Sequence, residues 1–92
     1  MARTPDRHTD AAFSEEEATL FHLGETIPLR SDHVASARYD EGAQRLFLTF
    51  KDGPTYVYPC DLATARGFAV APSKGGALWD LFLRKGERGT RI

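Results

Sequence analysis

The chain has 92 residues, a net charge of −1 and a single cysteine, Cys60. That length makes one small domain, which buries only somewhat over ~60 % of its unfolded surface, so a marginal core is expected and oligomerisation would enlarge it. One cysteine excludes an intrachain disulfide and suits a reducing compartment, no apolar run reaches membrane-spanning length, and MARTPDRHTD lacks the apolar centre of a secretory signal; a cytoplasmic chain without membrane contact is expected.

Residues 1–12 are polar and aperiodic and read as a disordered tail. The stretch FSEEEATLFHLGE follows. Ser14 with Glu17 three residues on fits a capping box, with Phe13 as its hydrophobic staple. The acids of the first turn favour the helix dipole, and Gly24 is placed to end the helix. Leu20, Phe21 and Leu23 give it an apolar side. Residues 13–29 are therefore an acidic amphipathic helix and a lead-in, whose TIPLR segment is either extended or an edge strand, with Pro28 keeping it off a sheet centre.

Three strands are predicted next: HVASARY, then RLFLTF, then TYVY. The turn DEGAQ links the first two, and KDGP carries the Asp-Gly signal of a tight hairpin, with Pro54 starting the return strand. Leu46, Leu48 and Phe50 share one face, which alternation assigns to the core. Tyr56 and Tyr58 share a face of their own strand, read as opposite to that one. Asp61 then caps a helix over LATARGFAV, which Pro72 stops at about Ala71. Ser73 caps a second helix, KGGALWDLFLRK, burying Leu78, Leu81, Phe82 and Trp79, and Gly86 ends it. The remainder, residues 87–92, reads as a fraying tail. The expected fold is α+β: a three-stranded antiparallel meander with an N-terminal helix and two C-terminal helices packed on one face.

The order of these features resembles the KTSC domain, a small domain found at the C-terminus of some lysyl-tRNA synthetases and as stand-alone bacterial proteins. Ser31, Tyr39-Asp40, Leu46 to Phe50, Gly53, Tyr56-Val57-Tyr58, and Ala71, Ser73 and Gly75 match the family pattern in order. The resemblance covers residues 30–86. The chain departs from the pattern at Pro59, which stands next to Tyr58 without the family's Val-Pro, and at Ala77, Leu78 and Trp79, where the family has an aromatic pair and Asn. Arg84 stands one place later than the family's Arg. The company of a tRNA-handling enzyme implies RNA binding.

Charge points in the same direction. Residues 1–41 carry four Arg against nine acids, whereas residues 42–92 carry eight Lys and Arg against four. A basic half either attracts an anionic partner or is attracted to the acidic half of its own chain. Lys74 and the glycines of Ser73-Lys74-Gly75-Gly76 open a helix whose N–H groups could meet a phosphate. The simpler reading, which is favoured, is a helix start in which Ser73 caps and the glycines allow close packing. The order of a P-loop is absent, so nucleotide hydrolysis is not expected. Tyr56 and Tyr58 could stack on bases if their face is open, or belong to the core if helices cover it. A basic surface would draw on Arg38, Arg45, Lys51, Arg66, Lys74, Arg84 and Lys85.

Cys60 lacks any flanking signature of a nucleophile, and His8, His22 and His33 show no ligand spacing with it, so neither an enzyme, a cofactor nor a metal is expected. The first expectation is an RNA-binding module, or a DNA-binding one, using Tyr56, Tyr58, Ser73, Lys74, Gly75, Arg45, Arg84 and Lys85. The second is a protein-interaction module, a homo-oligomer or an adaptor, using the acidic helix.

Overall fold

The computed structural model describes residues 12–92, and the expectations for the N-terminal tail and for His8 concern residues outside that range. The described residues form an α+β fold, with three α-helices and a five-stranded antiparallel sheet. In chain order it runs α1 (Glu15–His22), β1 (Ile27–Pro28), β2 (Val34–Asp40), β3 (Arg45–Phe50), β4 (Thr55–Pro59), α2 (Leu62–Val70), α3 (Lys74–Leu81), a 3-10 turn (Leu83–Lys85) and β5 (Thr90–Arg91). The sheet order is β1-β2-β3-β4-β5, each strand beside the next, as short links demand. The predicted meander is its centre. The fifth strand corrects the reading of 87–92 as a frayed tail: Thr90 and Arg91 pair with Val57 and Tyr56. No helix among the described residues is long and apolar enough to cross a membrane.

The helix starts follow from local chemistry. Ser14 Oγ accepts from Glu17 N–H at 3.2 Å while the Glu17 carboxylate accepts from Ser14 N–H at 3.0 Å. Asp61 accepts from Thr64 N–H at 2.8 Å, and Ser73 from Gly76 N–H at 3.1 Å. Each contact satisfies an amide that the helix itself leaves open. Helix α1 turns Phe21 fully inward, but Leu23 is 72 % exposed, so its apolar side is narrower than predicted. Its residues pack in cis: Phe13 meets Phe21 edge-on at 5.2 Å, and Phe13 N–H donates to the Ala69 carbonyl at 3.0 Å.

One register decides which face is which. A two-residue Asp52-Gly53 turn would pair Lys51 with Pro54 and set Tyr58 opposite Phe47. The hairpin instead closes one residue earlier on the β3 side, with Phe50 N–H donating to the Pro54 carbonyl at 2.9 Å and Gly53 at φ +120°. The extra residue moves the pairing to Leu46 with Tyr58 and Leu48 with Tyr56. A slip of one residue turns every side chain over. The tyrosines therefore stand on the same face as Leu46, Leu48 and Phe50, which corrects their placement on opposite faces.

That face is the core. Val34, Ala37, Tyr39, Leu46, Leu48 and Tyr58 from the sheet meet Phe21, Ala65, Phe68, Ala69, Ala77, Leu78 and Phe82 from the helices. The opposite face carries Arg38, Phe47 and Val57 in register. There the Arg38 guanidinium lies 4.2 Å from the Phe47 ring centre. Trp79, expected inside, is 55 % exposed, because α3 lasts only from Lys74 to Leu81 and turns Ala77 and Leu78 toward the sheet.

Candidate binding groove

Lys74 is not at the surface. It is 1 % exposed, and its ammonium donates to the carbonyls of Phe68, Ala69 and Ala71 at 2.8, 2.9 and 3.0 Å. Those carbonyls end α2, where the regular intrahelical ladder runs out and a cation suits the helix dipole. The rings of Phe13 and Phe68, 4.3 and 5.1 Å from Nζ, complete the enclosure. All three N–H bonds of the ammonium are thus engaged inside the protein. Burial pushes the Lys74 pKa down from 10.5 to about 8, with Glu17 pulling it back up. This corrects the reading of Lys74 as a phosphate contact. Ser73 is the helix cap, Gly76 has Ser73 Oγ only 3.2 Å from where a Cβ would stand, and Gly75 faces open space. Ser73-Lys74-Gly75-Gly76 is a helix start whose lysine locks the preceding helix end.

The other cations of the predicted site, Arg45, Arg84 and Lys85, are not among the residues that line the groove beside the β3–β4 hairpin. Arg45 is exposed at the start of β3, paired in register with Asp40 and Pro59. Arg84 forms an exposed ion pair with Asp80 at 3.8 Å. Lys85 stands near Asp61, whose carboxyl is held below its ordinary range first by hydrogen bonds from Thr64 and then by that ammonium.

Tyr56 and Tyr58 do share a site, of a different kind. The helices leave one end of the core face uncovered, beside the β3–β4 hairpin. An open groove of about 510 Å³ lies there, lined by Phe50, Asp52, Pro54, Tyr56 and Tyr58 of the hairpin. Leu78 of α3, Leu83 of the 3-10 turn and Arg88 from the approach to β5 complete the lining. Tyr56 packs edge-on against Phe50 at 5.6 Å, and the Tyr58 ring lies tilted against Phe82 at 4.8 Å. Gly89 lies close against the Tyr58 ring: a Cβ at Gly89 would stand 2.7 Å from Cε2, and its φ is +76°. Glycine is required on both counts. Tyr58 is 2 % exposed and presents no bare ring for stacking, whereas Tyr56 is half-buried and lines the groove.

Sequence reasoning missed Leu83 and Arg88 as members of this site. Only Gly86 and Gly89, which bend the chain back with φ of +91° and +76°, mark that 83–91 folds onto the sheet.

Cys60 is 6 % exposed, and burial, with Asp61 beside it, pushes its thiol up to about 12. That is the reverse of an activated nucleophile. Its carbonyl accepts from the buried Tyr39 hydroxyl at 2.8 Å, tying β2 to the end of β4. Comparison with models of known protein families and with characterised proteins returns no match.

Proposed function

We propose that this chain is a small, non-enzymatic protein-interaction module that takes a short apolar segment of a partner protein into the groove beside the β3–β4 hairpin. The observation that carries the reading is the groove itself: an aromatic and aliphatic trough left open on a sheet face otherwise sealed by helices. Concave apolar sites with a few polar groups are where ligands bind, and burying Tyr56, Phe50 and Leu83 under a partner would supply the favourable free energy. The acidic helix, by contrast, is occupied in its own core through Phe21. The expected nucleic-acid platform has lost Lys74 to the interior, and Arg84 is engaged with Asp80. A cytoplasmic setting fits a single cysteine held as a thiol.

The KTSC resemblance belongs to the same proposal. Tyr56 and Tyr58 of its Tyr56-Val57-Tyr58 motif line the groove, and its Ala71, Ser73 and Gly75 form the α2–α3 corner that Lys74 locks. In a domain of this kind the motif residues would build and support a binding groove.

The test is selection from a random peptide library displayed on phage, with wild type and Leu83→Asp as baits. Enrichment of apolar peptides by wild type alone is expected. The reading fails if no peptide family is enriched while labelled single-stranded RNA binds with the steep salt dependence of phosphate contacts.

A further inference from the structure

The groove is apolar along its floor and carries polar groups that the protein itself leaves unused. Tyr58 is 2 % exposed, yet its hydroxyl makes no hydrogen bond to a described residue. The only fully enclosed side-chain polar atom without a partner, among the described residues, is His22 Nε2, so the hydroxyl of Tyr58, a groove-lining residue, is not fully enclosed. Buried tyrosines ordinarily satisfy that hydroxyl, as Tyr39 does on the Cys60 carbonyl. Arg88, exposed on the rim, makes no ion pair or hydrogen bond among the described residues. The neighbouring Glu87 carboxylate is turned to the Gly89 N–H at 3.1 Å. Asp52, on the hairpin side, is likewise not in an ion pair with any described residue.

Resting on the reading of the groove as a peptide site, we propose that its ligand is a segment with a large apolar side chain flanked by a carboxylate, the carboxylate meeting the Arg88 guanidinium and the Tyr58 hydroxyl. Both donors are ready for an anion. A guanidinium presents a planar fork that matches a carboxylate, and a phenol donates to one of its oxygens. Burial raises the Tyr58 pKa, with Tyr56 and Glu87 adding to the rise, so the hydroxyl stays protonated at neutral pH. Asp52 and Arg88 both line the groove. Asp52 would repel an acid placed beside it and favour a base. The acid of the ligand is therefore assigned to Arg88 and a neutral or basic residue to Asp52.

The experiment uses the full chain and a synthetic peptide taken from the library selection, with its acid intact or replaced by the matching amide. Binding is read by fluorescence anisotropy. The amide should weaken binding about tenfold or more, the scale of a lost charge-assisted contact. Arg88→Glu should invert the preference, so that a lysine-bearing peptide binds better than the acidic one. Tyr58→Phe removes a hydroxyl with no protein partner, so it should leave the thermal midpoint unchanged and still weaken the acidic peptide. Equal affinity for acid and amide, with no effect of Arg88→Glu or Tyr58→Phe, would overturn this inference and leave the apolar groove standing. Failure of every peptide to bind would remove the groove reading and this inference together.

Discussion

Replacing Lys74 by methionine keeps a long side chain and removes its charge and all three donors. Hydrogen bonds from a charged group contribute about 1.5–3 kcal/mol each. The three bonds to Phe68, Ala69 and Ala71 span 2.8–3.0 Å and are all well formed. Against them stands the desolvation of a buried ammonium, which costs several kcal/mol. Two of the three carbonyls also keep a backbone donor, since Phe68 accepts from Ala71 N–H and Ala69 from Phe13 N–H. Methionine fills most of the volume, so a cavity adds little. The net loss expected for Lys74→Met is about 2–3 kcal/mol, a fall in thermal midpoint of about 10–20 °C for a domain of this size. Urea unfolding followed by circular dichroism at neutral pH measures it. A variant within about 0.5 kcal/mol of wild type, the range of ordinary surface changes, would refute the assignment of Lys74 as the lock on α2.

The same pair of proteins tests the titration of Lys74. Its folded pKa of about 8 lies below the ordinary 10.5, so the unfolded chain binds more protons between those values. Wild-type stability relative to Lys74→Met should therefore rise from pH 8 to 10.5, with Tyr39, Tyr58 and Cys60 cancelling in the difference, and a flat or falling difference contradicts it. Gly75→Ala should stabilise the fold by about 0.5–1 kcal/mol, because the position is helical and open. Gly89→Ala should destabilise it by about 1–3 kcal/mol through its positive φ and the Tyr58 ring, and both changes are read by thermal melting. Cys60 should react with a thiol reagent at neutral pH at least about a hundredfold more slowly in the native protein than in urea, since only rare opening exposes it.

What was legible in the sequence is what is local. Ser14 with Glu17, Asp61 and Ser73 announce their helices because a cap needs only residues within one turn. The strand Arg45–Phe50 reads correctly because alternation survives without knowledge of its partners. The face of Tyr56 and Tyr58 was not legible. It depends on one residue in the hairpin loop, and Asp-Gly is compatible with more than one loop length. Strand β5 has two residues and no period, and it exists only because β4 offers an edge. Lys74 misleads because lysine is the residue type least expected inside. Only the proximity of the end of α2 to the start of α3 explains its burial, and a six-residue separation between Lys74 and Phe68 carries no signal of it. The groove inherits both difficulties, since its walls come from the hairpin register and from the returning C-terminal segment.

The most direct test of the account is a nuclear magnetic resonance titration of the isotope-labelled chain with a selected acidic–apolar peptide and, separately, with single-stranded RNA. The peptide is predicted to shift the resonances of Phe50, Tyr56, Tyr58, Leu78, Leu83 and Arg88 in a saturable way, while RNA leaves the Ser73–Gly76 amides unmoved. Saturable shifts confined to Ser73, Gly75 and Gly76 on adding RNA, with the groove resonances silent toward peptide, would contradict it.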